Sequence, residues 1–425
     1  TRALVEQGHR VTFVLPRLKG DAGDEGSHVE LVGVAQLLED AGERLELERD
    51  ERRFLEQVEF AAVDSPLRPY LNDAEYRRVV ALLERSARER GERGDGEDAA
   101  GEPVDLAFSG DYGSDLMGEV FRYARVAGAV ARRVPHDVIH AHDWLTMLAG
   151  LEARRVRGRP LAVHAHALEY DRSGENVNRA VHDIERAGMH GADAVVAVSH
   201  LTKQTIVRRY GVPAERVEVV HNAVTKKART LPVTRGQRRE KVILFLGRIT
   251  FQKGPDYFVE AAARLLARRD DVRFVMAGSG DMAPRMIERA AALRIGNRFH
   301  FTGFLTGADV ERMYLESDIY VMPSVSEPFG ISPLEAMAYD VPVIISKQSG
   351  VSEILRHALK VDFWDVEQLA DKMNALIDHA PLHRELTEQG ARELKSIQWS
   401  NAAKRLGEIY QRLRADAARR EGRAS

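Results

Sequence analysis

The stretch Ile319-Tyr320-Val321-Met322-Pro323-Ser324-Val325-Ser326-Glu327-Pro328-Phe329-Gly330-Ile331-Ser332-Pro333-Leu334-Glu335 decides the fold class. Its first four residues are apolar on both faces, as in a parallel strand covered by helices on either side. The Pro, Ser and Gly that follow predict a turn. Ser332 is then expected as the N-cap of a helix, with Pro333 first and Glu335 third, a capping box. Open α/β sheets bind ligands beyond the carboxyl ends of their strands, which is where this turn falls. Free N–H groups at the helix start favour an anion such as phosphate. Gly330 lets the backbone approach it. Capping accounts for Ser332 and Glu335 but does not explain Glu327, placed with Pro328, Phe329 and Gly330 in the same turn.

Similar runs recur outward from this stretch. Val11–Leu15, Val138–Ala141, Leu161–His164, Ala194–Val198 and Val217–Val220 form one series. Val242–Phe245, Arg273–Ala277, Phe299–Phe301, Ile319–Met322 and Val341–Ile345 form a second. Helical stretches alternate with them, so the expected fold is α/β, with two Rossmann-like, doubly wound domains. The polar, basic segment 225–240 reads as the linker. The expected divisions are 1–224, 225–240, 241–395 and a final helical segment 396–425, anchored by Trp399, Leu406 and Tyr410 and frayed beyond Arg414. Residues 84–102, rich in charge and glycine, read as a surface loop. A helix already under way at Thr1, stopped at Gly8, implies an earlier central strand. The expectation is therefore that roughly 20 to 30 residues precede Thr1 and that the chain is unstable or inactive without them.

Of 425 residues, 62 are Lys or Arg and 65 Asp or Glu, a net charge of −3, which gives no global attraction to nucleic acid. The absence of cysteine excludes disulfides, thiolate metal sites and a cysteine nucleophile, and fits a reducing, cytoplasmic setting. No apolar run reaches the roughly 18 residues of a membrane span.

A second candidate segment, Gly247-Arg248-Ile249-Thr250-Phe251-Gln252-Lys253-Gly254, follows the strand Val242–Phe245. An Arg fork with a Lys point charge suits a diphosphate. Gly278-Ser279-Gly280-Asp281-Met282-Ala283 matches the dinucleotide fingerprint G-x-G-x-x-A. The acidic residue that a nicotinamide dehydrogenase needs about twenty positions on is missing, since Thr302 and Gly303 stand there. A tight turn with Asp281 as N-cap is the competing reading. His140 with His142, and His164 with His166, could each share one strand face. A metal-dependent hydrolase would need further ligands converging on them, and nothing in the sequence marks any, so no metal is expected. Trp144, Phe363 and Trp364 could stack on sugar, packing being the reading preferred for the last two.

Together these segments resemble the retaining glycosyltransferases of the GT-B fold, families 4 and 5, which include the glycogen and starch synthases. The likeness rests on Glu327 and Glu335 with seven residues between them, and on Arg248 and Lys253 with four. It rests also on His140-Ala141-His142-Asp143-Trp144, on His164-Ala165-His166-Ala167-Leu168-Glu169-Tyr170, and on Asn222, with Ala223 where the family often has Gly. It is strong over 242–357 and weak over 20–110.

The resemblance implies two domains facing a cleft and a nucleotide-sugar donor, most simply ADP- or UDP-glucose, with no further cofactor. Arg248 and Lys253 would neutralise the diphosphate, assisted by N–H groups near Gly330 and Ile331. Glu335 would hold the ribose and Glu327 the donor sugar. His166 would lie at the reacting carbon. Gly303, Phe304 and Leu305 would lie beside the base. His142, Asp143 and Asn222 would line the acceptor side, and the acceptor would be a carbohydrate such as an α-glucan. An inactive binding or regulatory subunit on the same scaffold is the alternative. The oligomeric state is not legible.

Overall fold

The computed structural model describes residues 1–15, 29–33, 116–225, 229–233 and 239–424. The charged segment 84–102 and linker residues 226–228 and 234–238 lie outside the described residues. The chain divides into two compact units, residues 1–165 with 176–195 and 407–425, and residues 166–175 with 196–406.

The apolar runs became strands. They are β1 (Val11–Leu15), β2 (Val29–Gly33), β3 (Ile139–His142), β4 (Leu161–Ala165), β5 (Ala194–Ala197) and β6 (Val217–Val219), then β7 (Lys241–Leu246), β8 (Val272–Ala277), β9 (Phe299–Gly303), β10 (Ile319–Met322), β11 (Val343–Ser346) and β12 (Leu359–Val361). Every strand read from the sequence is present within two residues. Two strands were not read, β2 and β12. β12 is Leu-Lys-Val, too short and too polar to stand out as an apolar run.

β7 to β12 form one sheet in the order β12-β11-β10-β7-β8-β9. Counted from β7 as the first, this is the doubly wound order 3-2-1-4-5-6. Its five strand pairs are all parallel. The order reverses between β7 and β10, so the turns after these two strands flank the switch point, where such sheets take ligands. β3 to β6 form a four-stranded sheet in sequence order, with β3 parallel to β4, and β1 pairs in parallel with β2.

Burial explains why the second sheet is apolar throughout. Ile243, Phe258, Val259, Leu265, Phe274 and Ile319 are fully buried in one core layer, between the sheet and helices that include Pro255–Leu266 and Val366–Asp378. Leu244, Tyr320, Leu334, Val343 and Ile345 fill the layer on the other face. Each such side chain contributes about 1.5–3 kcal/mol relative to an exposed one.

The final helix runs Trp399–Ala424 and does not fray after Arg414; Arg420 pairs with Asp193 at 3.0 Å. Its buried residues are Ala403, Gly407, Ile409 and Leu413, whereas Trp399 is exposed and Leu406 half-buried. Of the expected anchors, Tyr410 holds: its ring packs edge-on against His140 with centroids 5.6 Å apart, whereas Trp399 is left exposed and smaller apolar residues fill the buried face. Among the described residues no helix is long and apolar enough to cross a membrane.

Candidate functional site

The turn after β7 is shaped by glycine. Gly254 has φ +63°, and a Cβ there would lie 2.2 Å from the Pro323 carbonyl oxygen of the turn after β10. The two turns at the switch point can approach this closely only because Gly254 has no side chain to meet the Pro323 backbone. Pro255 then opens the helix Pro255–Leu266. The Gly278–Gly280 turn packs in the same way. Ile249 N–H donates to the Ser279 carbonyl at 2.9 Å and Met282 N–H to that of Ile249 at 3.1 Å. A Cβ on Gly278 would meet Gly247 O at 1.9 Å. The fingerprint glycines are therefore accounted for by contact between two backbones. The N-cap of the next helix is Met282, not Asp281, and no side chain caps it.

Lys253 Nζ donates to Glu327 Oε2, and Ser324 Oγ–H reaches the same oxygen at 3.3 Å. The Glu327 backbone is fixed on both sides: its N–H donates to Gln348 O at 3.0 Å and its C=O accepts from Gly350 N–H at 2.8 Å. Glu327 is buried while Arg248 is exposed, its guanidinium 3.3 Å from Gln252 Oε1. The structure thus brings Lys253 and Glu327 into direct contact and leaves Arg248 facing outward from the same turn. Gly330 has φ +97°, and a Cβ would press on Met322 and Glu327.

The expected capping box does not form. Ile331 is the N-cap, Ser332 the first helical residue, and no side chain caps the helix Ser332–Ala338. Glu335 instead accepts from the Tyr314 hydroxyl at 3.0 Å. Burial holds that phenol well above its ordinary pKa, with Tyr320 and Glu335 adding to the shift, so it remains a donor. The carboxylate is oriented by a residue 21 positions away rather than by its own helix end.

His166 lies one residue past β4. It leads into the short helix Glu169–Ser173, which packs on the turn Phe251–Lys253. Asp171 ties this segment to the β10 turn, accepting Ser326 Oγ–H at 2.6 Å and Leu168 N–H at 2.8 Å. Burial raises its pKa, the Glu327 charge adding to this and the hydrogen bonds opposing it. Sequence reading missed Asp171, because its partner stands 155 residues away. The only local signal was a charged cluster, Glu169 to Arg172, beside His166.

The remaining candidates are spread more widely. Phe304 is 75% exposed after β9, Gly303 has φ +74°, and Leu305 packs against the core. Ile331 is exposed and Phe329 buried. His142 ends β3 exposed, and Asp143 has φ +59°, a costly conformation for a residue with a Cβ. Asn222 is half-buried. Trp144 is buried and so is not offered to a sugar, whereas Trp364 is 58% exposed. Glu353 accepts the first N–H groups of the helix His200–Tyr210, from His200 at 2.8 Å and Leu201 at 2.7 Å. Burial would raise its pKa, but these bonds and His221 Nε2 at 3.2 Å bring it below the ordinary value.

A lowered carboxylate pKa means stability that is present above the unfolded value and is lost as pH falls through the folded one. Glu353→Gln should therefore cost about 1 kcal/mol at neutral pH. The difference from wild type should fade in acid, as followed by urea unfolding. An equal cost at every pH would remove the carboxylate's charge from the explanation.

Residues 230–393 match the family Glycosyl transferases group 1, and residues 67–227 match Glycosyltransferase Family 4. An uncharacterised glycosyltransferase of Methanocaldococcus jannaschii is 30% identical over 299 residues, 65% of this chain and 75% of that protein. A D-inositol 3-phosphate glycosyltransferase of Catenulispora acidiphila is 29% identical over 310 residues, 67% of this chain and 74% of that one. Among solved structures, sucrose-phosphate synthase from Thermosynechococcus elongatus superposes with TM-score 0.60 at 22% identity, covering 71% of this chain and 80% of that one. That likeness carries the fold, two Rossmann-like domains of the GT-B class. With the two turns of the doubly wound sheet in place, the match to both halves assigns the chain: it belongs to the family 4 glycosyltransferases, with a group 1 glycosyl transferase domain in its second half.

Proposed function

We propose that the chain transfers a glucosyl residue from ADP- or UDP-glucose, with retention of configuration, to a carbohydrate acceptor, and that no resident metal or other cofactor takes part. The observation that supports this is the pairing of Lys253 with Glu327 across the two turns at the switch point of the second sheet, with Arg248 on the same turn as Lys253. Breaking a sugar–phosphate bond builds negative charge on the departing diphosphate. Cations already in place stabilise that charge without reorganisation. Arg248 and Lys253 supply them, with the N–H groups at Gly330 and Ile331. Glu335, oriented by Tyr314, accepts from the ribose hydroxyls. Glu327 accepts from the donor sugar's hydroxyls once the diphosphate draws on Lys253. Gly303, Phe304 and Leu305 border the base, and Phe329 packs under the phosphate turn. His166 is assigned to the donor sugar near its reacting carbon. His142, Asp143 and Asn222 are assigned to the acceptor.

Retention then needs no carboxylate nucleophile of the glycosidase kind. The acceptor hydroxyl attacks from the face the diphosphate leaves, and its proton passes to the departing phosphate oxygen.

The likeness of the His142 segment to glycogen and starch synthases favours an α-glucan acceptor. The named acceptor of the D-inositol 3-phosphate relative supports a second reading, a small phosphorylated polyol. Release of ADP, UDP or GDP from each glucose donor, assayed with glycogen and with inositol phosphate, separates the two. No release with any donor and acceptor would favour the inactive scaffold.

Because side chains neutralise the diphosphate, turnover is expected to survive EDTA. Loss of turnover on chelation, restored by Mg2+, which imidazole nitrogens do not hold, would overturn metal-free neutralisation of the diphosphate.

A further inference from the structure

His140, His142 and His164 stand together on one face of β3 and β4, an arrangement the separate His-Ala-His pairs did not reveal. His140 and His142 alternate onto the same face of β3. The parallel register sets His142 opposite His164, so the third ring leaves the sheet on that side too. Ring centroids are 4.3 Å apart for His140 and His142, and 5.3 Å for each of these with His164. One nitrogen of each ring lies within 4.8 Å of the others. His164 is buried and His142 exposed, so the cluster has an inner wall and an open side.

An outer partner is also present. The Tyr410 hydroxyl lies 2.5 Å from His140 Nδ1. With Nδ1–H donated to that oxygen, the lone pair of His140 resides on Nε2. A hydrogen bond of this kind fixes the tautomer and the ring plane of a ligating imidazole.

We propose that His140, His142 and His164 bind one divalent transition-metal ion of the zinc type, with Tyr410 as a positioning residue. Imidazole nitrogen suits zinc, cobalt, nickel and copper, and not magnesium or calcium. Three histidines with an open fourth position form a donor set that zinc accepts. Zinc–nitrogen bonds of about 2.0–2.1 Å in tetrahedral geometry put the nitrogens about 3.3 Å apart. Rotation of the exposed His142 ring supplies part of the closure. The inference does not rest on the donor reading.

The test titrates the full chain, stripped with chelator, with Co2+. A visible absorption band of tetrahedral cobalt is expected, saturating at one ion per chain and bleached by Zn2+ but not by Mg2+. Saturating Zn2+ should raise Tm. His142→Gln, at the exposed ligand, should weaken binding at least about a hundredfold. Tyr410→Phe should weaken it about tenfold, the range seen when outer partners of metal ligands are removed. Circular dichroism establishes that both variants are folded. No cobalt band, or a band unchanged in folded His142→Gln, overturns the proposal.

Discussion

Arg248→Ala is expected to lower kcat/KM at least about a hundredfold while leaving Tm close to that of the wild type. The magnitude is that of removing one preorganised donor from a developing anion. The unchanged Tm follows from exposure, since among the described residues Arg248 holds a single long hydrogen bond, to Gln252. Lys253→Ala should match that loss of turnover but behave differently in unfolding. Glu327, only 6% exposed, would lose its cationic partner. An unpaired buried carboxylate costs several kcal/mol, here up to about 3 because Lys253 is itself partly exposed. Adding Glu327→Gln to Lys253→Ala should restore much of the Tm and none of the turnover. Steady-state kinetics and thermal unfolding on the same four proteins decide it. Near wild-type turnover in both single variants would remove the diphosphate from this turn.

Gly278→Ala is the second large effect, and it acts on stability. The φ of +140° is closed to a residue with a side chain, and the new Cβ would lie 1.9 Å from Gly247 O. Either the backbone of the β7 turn moves or the turn after β8 does. The expected cost is at least about 2 kcal/mol, or a Tm lower by about 4–8 °C for a domain of this size. Turnover should fall as well, because Arg248 sits on the displaced turn. Gly296→Ala is the control. A Cβ there meets nothing within 4 Å, and its φ is not in the left-handed region, so it should stay within about 0.5 kcal/mol of wild type. Equal Tm values for the two variants would mean that the contact between these backbones is not what glycine is needed for.

The sequence by itself determined ten of the twelve described strands and the sheet class. Period and burial are local properties: Ile319-Tyr320-Val321-Met322 can only be a strand covered on both faces, and it is. It also placed Arg248, Lys253 and Glu327 on turns at carboxyl strand ends, because a turn's place on its own strand is local too. Tertiary structure decided whatever depends on which distant residue arrives. Ser332 and Glu335 spell a capping box, yet Glu335 turns to Tyr314, whose hydroxyl reaches it from the preceding helix. The G-x-G of Gly278 and Gly280 spells a nucleotide turn, yet its glycines admit the backbone of Gly247 and Ile249. Asp171 and Ser326 meet across 155 residues. His164 joins His140 and His142 only through the register of β3 and β4. The physical reason is the same in each case. A strand or a turn is selected by the chain's own covalent geometry and apolar pattern, whereas the partner of a polar side chain is selected by the folded backbone that carries it there.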